Sequence, residues 1–419
     1  MKTSPVDPEW HEVFERWLEP FVARLHRKEQ RQWAPVYVRG LLGPSRRKCA
    51  TTMARSVAPG DSWQLHHFVA TSPWDGDPLA EVLVTKANGL VGGPEAYLIV
   101  DDTALVKKGR ESVGVARQYC GELGKMANCQ VLVSLTLARR EVPVCIGLRL
   151  FLPQAWADDT ARRRKCGVPE GLKHEPKWKI ALGEVDRVVK AGATFGEVLA
   201  DAAYGSCAEF RDGLSQRGFV WTLGVTSTQQ VYSTRVKVCK PQSGPRGRPV
   251  QNARPSERSV SAADFIAGLG TKAFRKVTWR TGTKGALAGR FAAVRVRVAD
   301  GPKVSYGQRL PGEEVWLLCE ERSNGERRYY LSNRPANTAR RTLVRSVKAR
   351  WACEQPHQQM KQELGLDHFE GRSWKGLHHH ALLTLIAYAF LQHLRLRGKK
   401  NSQPTARRPA RVCRKSDDG

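Results

Sequence analysis

Two short apolar runs in this chain each end in acidic residues. Residues 97–100 are followed by Asp101 and Asp102, and residues 198–200 are followed by Asp201. Short apolar runs of this kind predict buried strands. Carboxylates that emerge where such strands end are suited to holding hard cations such as Mg²⁺, which prefer oxygen ligands. The pattern therefore indicates candidate metal-binding acids at one edge of a sheet.

A third acid, Glu354, lies in a segment with helical character. Arg350 precedes it by four residues and Lys361 follows it by seven, so at 3.6 residues per turn the three side chains share one stripe of a helix. Pro356 predicts a kink or a restart within that helix. Two carboxylate-held ions about 4 Å apart can activate a nucleophile and stabilise the leaving oxygen at a phosphodiester. The three acids and their basic neighbours therefore point to phosphodiester chemistry.

In order and spacing these residues resemble the insertion-sequence transposases of the DDE superfamily, whose catalytic core is RNase H-like. One branch carries the signature Tyr-x2-Arg-x3-Glu-x6-Lys around its last acid. Arg350, Glu354 and Lys361 keep that spacing, whereas Val347 stands where the tyrosine is expected. Loss of that hydroxyl, which in relatives would contact the DNA backbone, is worth about 1 kcal/mol. The resemblance covers roughly residues 95–395.

The resemblance implies both a reaction and the residues that perform it. Asp102, Asp201 and Glu354 would be the catalytic acids and the ligands of two Mg²⁺ (or Mn²⁺) ions. The reaction would be hydrolysis at the end of a mobile element, followed by attack of the freed 3′-OH on target DNA. Two paired double-stranded DNA ends imply a homodimer.

The first acid is either Asp101 or Asp102, because successive side chains on a strand point to opposite faces. The family places its acid directly before a threonine, and Asp102 precedes Thr103. This position favours Asp102, with Asp101 as the alternative.

Basic residues near the acid motifs are candidate contacts to DNA. An arginine can bind a phosphate as a fork and a lysine as a point charge. Each of these side chains could equally be a solvated surface charge. The candidates are Arg350, Lys361, Lys107, Lys108, His174 and Lys177.

Composition supports a polyanionic partner. Among 419 residues, 69 are Lys or Arg and 40 are Asp or Glu, which gives a net charge of +29. Such an excess favours nucleic-acid binding with a steep dependence on salt. The ten cysteines include no C-x-x-C pair, so free thiols are expected and a structural zinc site is not. No signal-peptide pattern is evident, which favours the cytoplasm in association with the nucleoid.

Hydrophobic periodicity divides the chain into four parts. Residues 1–90 are expected to be helical and to bind DNA, or else to form a structural cap. Residues 91–225 and 339–396 are expected to form an α/β RNase H-like core, with a mixed five-stranded sheet, flanking helices and β-β-β-α-β-α-β order. A β-rich insertion is expected over 226–338, opening with a flexible loop at 240–258, and a disordered basic tail over 397–419.

Two shorter segments carry separate expectations. A long loop is expected over 106–127, and residues 381–391 are too short to span a bilayer and are expected to form a buried helix. The three histidines at 378–380 have no spaced ligand partners and are expected to lie on a wet helix surface.

These features predict a DNA transposase with endonuclease and strand-transfer activity. Two alternatives remain open at this point: another RNase H-like nuclease that cuts without joining, and a non-catalytic DNA-binding descendant of a transposase.

Overall fold

A computed structural model describes residues 8–239, 253–282, 285–304 and 308–401. The chain forms a mixed α/β fold, as predicted, in which helices cover both faces of one long sheet. None of the helices in these ranges is long and apolar enough to cross a membrane.

The N-terminal region is helical, as the sequence predicts. Apolar residues recur at helical spacing, and they pack against the long C-terminal helix and the sheet in one continuous core. Trp17 and Phe14 lie against Phe390, with ring centroids 6.0 and 5.4 Å away. The helices are α1 (Pro8–Val22), α2 (Lys28–Leu42), α3 (Ala50–Val57), α4 (Ser62–Ala70) and α5 (Asp77–Val91).

Five strands follow the predicted order of the central sheet. Their arrangement across the sheet is β4-β3-β1-β5-β6, with the β4-β3-β1 pairs antiparallel and the β1-β5-β6 pairs parallel. The elements of this region are β1 (Tyr97–Val106), β2 (Ala116–Cys120), β3 (Lys125–Arg139), β4 (Val142–Leu150), α6 (Gln154–Ala157), α7 (Thr160–Cys166), α8 (Lys177–Lys190), β5 (Glu197–Ala200), α9 (Ala202–Gly205), α10 (Ala208–Gln216) and β6 (Trp221–Val225).

The predicted turn between β3 and β4 is a two-residue loop. Arg140 and Glu141 both have positive φ, 48° and 65°, as the right-handed strand twist of a tight hairpin requires. By contrast, the segment predicted as a long loop over 106–127 contains β2, which pairs with an N-terminal extension of β3. The extension was missed because it is mostly exposed at Lys125 and Met126, so no buried apolar run marks it.

Residues 226–338 are rich in strands, and most of them continue the main sheet. The order runs β10-β7-β12-β13-β14-β6, so β14 joins this region to the last core strand. Residues 240–252 of the predicted flexible loop lie outside the described residues. The elements are β7 (Gln230–Ser233), β8 (Val238–Cys239), β9 (Arg254–Pro255), β10 (Val260–Ser261), α11 (Ala262–Gly268), β11 (Arg275–Gly282), β12 (Gly285–Val298), β13 (Glu314–Glu321) and β14 (Arg327–Ser332).

The predicted signature helix is broken into three pieces. These are α12 (Arg340–Ala349), a 3₁₀ turn (Arg350–Cys353) and α13 (Glu354–Gln362). Pro356 lies in the first turn of α13, where a missing backbone N–H is tolerated. The helix therefore restarts at Glu354 itself.

Buried polar contacts fix α12 on the sheet. Glu197, at the start of β5, accepts hydrogen bonds from Ser346 of α12 and from Arg334, both at 2.6 Å. Beside them, Ile99 and Leu199 pack against Cys353 and the neighbouring alanines of the 3₁₀ turn. We call this side of the sheet the α12 face, and the opposite side, where Val100 packs in the core that includes α8, the α8 face.

Helix α14 (Trp374–Asn401) is buried through residues 381–391, as predicted. It also includes residues 397–401 of the predicted disordered tail; the remainder of that tail lies outside the described residues. The expectation of a wet surface at His378, His379 and His380 is wrong. All three rings make hydrogen bonds inside the protein, to β4, to the α4 region and to α2 respectively. The reason is that the neighbouring helices pack on both sides of α14, which local sequence does not reveal.

Candidate active site

Parallel pairing brings Asp101 and Asp201 together. Asp201 follows the end of β5 as predicted, but Asp101 lies within β1, which continues to Val106 instead of ending before the acid. Val100 of β1 is aligned with Ala200 of β5, so Asp101 and Asp201 follow as neighbours at the same level of the sheet. The apolar runs before them are buried, except that Tyr97 is partly exposed, and this burial fixes the strands and hence the position of each acid. The structure therefore places Asp201 where the sequence predicts it, beside the end of the first run.

Asp101 and Asp102 point to opposite faces. Asp101 lies on the α12 face, where its Oδ2 accepts hydrogen bonds from Arg350 at 3.0 Å and from the Cys353 thiol at 2.9 Å. Asp102 instead pairs with Lys177 of α8 at 2.6 Å and accepts a hydrogen bond from the hydroxyl of Tyr204. The geometry does not bring the predicted first acid, Asp102, to the face that carries the third acid.

Arg350 links the first and third acids of the α12 face. One guanidinium nitrogen contacts Asp101, and the other lies 3.3 Å from Oε1 of Glu354. Burial opposes the charge of this guanidinium, yet the neighbouring carboxylate of Asp101 raises the pKa of Arg350 above its usual range. Arg350 is therefore cationic and lies between two carboxylates.

Asp201 is held mainly by backbone groups. Its Oδ1 accepts hydrogen bonds from the N–H groups of Ala203 and Tyr204 at the start of α9. Within the described ranges its Oδ2 accepts none. Burial, and then the nearby carboxylate of Asp101, raise the pKa of Asp201. An acid whose pKa is raised by burial and by a neighbouring carboxylate at a cleft is typical of functional sites.

A further polar chain, which the sequence did not reveal, connects α13 to β1. His357 lies 2.8 Å from the hydroxyl of Ser134 on β3, and that hydroxyl donates to the backbone carbonyl of Asp101 at 3.0 Å. Because the single proton of Ser134 is used, Nε2 of His357 must be the donor. Burial lowers the pKa of His357 to about 4, so the ring is neutral. In the sequence, His357 follows Glu354 by three residues, and this helical spacing was the signal that could have placed it near the site.

Four of the basic residues predicted to contact DNA have partners within the protein. Lys361 contacts Glu122 of the segment before β3 at 2.8 Å. The ammonium of Lys107 donates to the carbonyls of Asp367 and Phe369, and burial lowers the pKa of Lys107. Lys177 pairs with Asp102, as described above, and Arg350 with the acids.

The remaining two candidates differ in exposure. His174 makes a 2.8 Å hydrogen bond to the carbonyl of Leu152 and is half-buried. Lys108 is exposed. The structure thus leaves Lys108 open to solvent and engages the others to different degrees.

A cleft of about 1270 Å³ opens beside the acids. It lies between the core strands, the strands of residues 226–338 and the α12–α13 segment, and Asp201 and Glu354 line it. Trp351, between Arg350 and Glu354, is 66 % exposed on its wall. Val347 faces the cleft but also packs into a small apolar cluster with Val277 and Phe291. Basic side chains outnumber acidic ones in the lining. They include Arg341 and Arg345, and also Arg280, Arg322 and Arg328, which pair with Glu141 or Glu326.

No cluster of three or more His, Cys, Asp or Glu side chains in the described ranges is arranged to hold a metal ion. The arginine between Asp101 and Glu354 explains this, because its cationic group takes the carboxylate oxygens that an ion would use. The nine cysteines of the described residues are free, as expected.

Comparison with known families identifies the class to which this chain belongs. Residues 20–286 match the model of the DDE superfamily endonucleases, and residues 188–390 match the transposase DDE domain. The chain therefore belongs to the DDE superfamily, and the predicted resemblance is confirmed.

A curated relative narrows the comparison to insertion sequences. The chain is 31 % identical over 166 residues to a probable transposase for insertion sequence element IS701 from Microchaete diplosiphon. The match covers 40 % of this chain and 41 % of the relative, so the chain spans about two fifths of that relative's length.

Proposed function

We propose that this protein is the transposase of an insertion sequence. It binds the ends of the element as double-stranded DNA, cleaves phosphodiester bonds there and joins the freed 3′-OH ends to target DNA. The observation that carries the proposal is the meeting of Asp101, Asp201 and the Arg350–Glu354 pair at the mouth of a basic cleft. A phosphodiester backbone is complementary to that cleft in charge.

The central sheet supports an RNase H-like core. Three antiparallel strands lead into two parallel ones in the order β4-β3-β1-β5-β6, and the acids follow β5 and lie within β1, which pair side by side. The strands of residues 226–338 extend this sheet and wall the cleft. We propose that this region closes over the DNA end.

Asp101, Asp201 and Glu354 are proposed as the three catalytic acids, with Asp101 in place of the predicted Asp102. Asp101 shares the α12 face with Asp201 and is joined to Glu354 through Arg350. Asp102, on the α8 face, forms an ion pair with Lys177 instead. We propose that Asp102 positions the middle of β1 and does not touch the substrate.

The donor set fits divalent ions of the Mg²⁺ type. Carboxylate oxygens are the ligands that such ions prefer, and Oδ2 of Asp201 is not used by the hydrogen bonds of Oδ1. Asp101, Asp201 and Glu354 would hold the ions. When bound, two ions would supply Lewis-acid activation of water and of the 3′-OH, and stabilise the leaving oxygen.

The chain's own residues have separate roles in this scheme. Arg350 is proposed to exchange a carboxylate for a phosphate of the scissile strand, since a guanidinium can bind either as a fork. His357 and Ser134 hold the backbone of β1 against α13. Action on two ends suggests a homodimer, and the N-terminal helices are proposed to grip the DNA outside the cleft.

Cleavage assays with matched variants test the proposal. The substrate is duplex DNA from the regions flanking the gene, in Mg²⁺ buffer. Asp101→Asn, Asp201→Asn and Glu354→Gln should each abolish nicking and joining while leaving DNA binding intact, because an amide is a poor ligand for a hard cation. Asp102→Asn should retain measurable cleavage.

The alternatives predict different results. Nicking without joining would indicate another nuclease of this superfamily. Salt-sensitive binding without nicking by the wild-type protein would indicate a non-catalytic descendant. If Asp102→Asn is inactive and Asp101→Asn is active, the first acid is the one predicted from sequence.

A further inference from the structure

The hairpin formed by β2 and the start of β3 exposes three large apolar side chains together. Tyr119 and Met126 are paired across the two strands, and Leu123 lies in the turn between them. Their side chains are 63 %, 50 % and 44 % exposed. The other side of the hairpin is ordinary core, where Cys120 and Cys129 are buried. Isolated exposed apolar residues need no explanation, but three at one tip do.

This tip lies on the same face of the sheet as the proposed catalytic acids. Asp101 is opposite Ser134 on β3, and Met126 precedes Ser134 by eight residues on the same strand. Because side chains alternate between faces, Met126 and Tyr119 point to the α12 face. At about 3.4 Å per residue the tip is about 27 Å from Asp101 along the strand. A duplex rises about 3.4 Å per base pair, so a DNA that runs along β3 from the acids reaches the tip after about eight pairs.

The charges around the tip favour a polyanion. Glu111 and Glu122, the acidic residues of segment 107–126, are neutralised by Lys165 and Lys361, each at 2.8 Å. Exposed basic residues remain on the same segment, and in the described part of the chain none of them has an acidic partner within ion-pair distance. They are Lys108, Arg110, Arg117 and Lys125.

Lys361 also fixes the hairpin relative to the site. It extends from α13, seven residues after Glu354, and its contact with Glu122 joins the tip to the helix of the third acid. A shift of the hairpin on DNA is therefore coupled to α13.

We propose that Tyr119, Leu123 and Met126 form a wedge that enters between base pairs of the bound duplex, with Arg117, on the same face of the hairpin, on a flanking phosphate. The inference rests on the proposed function, because it takes DNA as the substrate. Apolar side chains that enter a duplex unstack a base step and kink it, while adjacent cations bind the backbone. The wedge holds the DNA in register about eight base pairs from the cleavage position.

Binding to matched and mismatched DNA tests the wedge. The probes are one duplex from the flanking DNA and a set of the same duplex with a single mismatched pair moved along it. A mismatch lowers the cost of unstacking, so the wild-type protein should prefer one mismatch position by on the order of tenfold. The combined variant Tyr119→Ser, Leu123→Ser, Met126→Ser should lose that preference, whereas Val189→Ser, exposed on α8, should keep it.

The flanking charge gives an independent readout. Arg117→Gln should reduce the slope of log K against log[salt] by about 0.9 for the lost phosphate contact, and leave the mismatch preference intact. Lys190→Gln, an exposed lysine on α8, is the matched charge control. Thermal unfolding of every variant should match that of the wild type, because the changed side chains are exposed.

The outcomes separate this inference from the proposed function. An unchanged mismatch preference in the triple-serine variant, or none in the wild type, overturns the wedge while cleavage and duplex binding remain normal. Loss of a dimer in the triple-serine variant, seen by light scattering, would identify the tip as a contact between copies and also overturns it. Failure of the wild type to bind any duplex refutes the proposed function itself.

Discussion

Asp101 and Asp102 are adjacent in sequence, but their carboxylates have different partners on opposite sides of β1. Asp101 faces Arg350 and Asp201, whereas Asp102 faces Lys177. A motif match compares residue types along the sequence and cannot distinguish two neighbouring acids of the same type. Strand geometry can distinguish them, because each residue on a strand is committed to one face.

At the residue scale, Asp201 should destabilise the fold in its ionised form. Burial and the charge of Asp101 raise its pKa, so the native state binds this proton more tightly than the unfolded chain. Stability then falls as pH rises from the ordinary range of an aspartate through the raised pKa. Asp201→Asn should therefore raise the melting temperature at neutral pH in chelating buffer, and asparagine keeps the cap on α9.

The gain should shrink as pH is lowered below the ordinary pKa of aspartate, where the wild-type carboxyl is also neutral. Asp186→Asn is the control, because that carboxylate pairs with Arg217 at 2.7 Å and should give no gain. A lower melting temperature for Asp201→Asn at neutral pH would contradict this account.

At the scale of elements, α14 depends on neutral histidines. His378 donates from Nδ1 to the carbonyl of Trp374 and accepts from Leu150. His380 donates from Nε2 to the carbonyl of Gly365, so its Nδ1 accepts the hydroxyl proton of Tyr37. Each ring therefore has one donor and one acceptor in use, as a neutral imidazole requires.

Acid should loosen α14 through these rings. Burial lowers the pKa of His378 and of His380 to about 4, so the unfolded chain takes up protons first as pH falls. Their contribution is fully present above about pH 6.5 and is lost between about 6.5 and 4. Once both pKa values have been passed, the loss at each ring lowers the free energy of unfolding by on the order of 3 kcal/mol.

Urea unfolding across that pH range measures the effect. His380→Gln should flatten the pH dependence, even though it lowers stability at neutral pH. The exposed His66→Gln should leave the dependence unchanged. Equal slopes for the wild type and His380→Gln would contradict the assignment.

At the scale of the whole molecule, the N-terminal helices belong to the main core. Phe14 and Trp17 pack on Phe390 of α14, and the apolar residues of α5 continue that core onto the sheet. This packing is what a structural cap requires, and it does not conflict with a role in DNA binding. Both roles can be carried by one region, with apolar residues inside and basic residues outside.

Removing residues 1–90 should therefore abolish cooperative unfolding of the remaining chain. The deletion exposes the apolar side of α14 to water, and each large side chain lost from the core costs about 3–5 kcal/mol. Urea unfolding followed by circular dichroism tests this. Normal cooperative unfolding of the shortened chain would mean that the helices are a separable domain.

DNA binding by these helices is better tested with surface charges. Arg24→Gln with Lys28→Gln changes two exposed residues and should leave unfolding unaltered. If the helices grip the element end, the ratio of specific to random duplex affinity falls in this variant. An unchanged ratio would assign end recognition to another part of the chain.

The sequence alone determined what depends on local pattern. Periodicity predicts the N-terminal helices, the order of the five central strands and the buried α14. The reason is that the spacing of apolar residues indicates which helix face or which strand is buried. The acids that follow the apolar runs and the four-residue step from Arg350 to Glu354 could be identified from the sequence for the same reason. Arg350 contacts Glu354, as that step predicts.

Only tertiary structure decided what depends on partners far away in the chain. It placed Asp101 and not Asp102 on the face that α12 covers, and it paired Lys361 with Glu122 and Lys107 with backbone carbonyls. It also buried the histidines of α14 and joined the strands of residues 226–338 to the central sheet. These outcomes follow from how elements pack and pair across long sequence separations, and that information is not contained in the spacing of neighbouring residues.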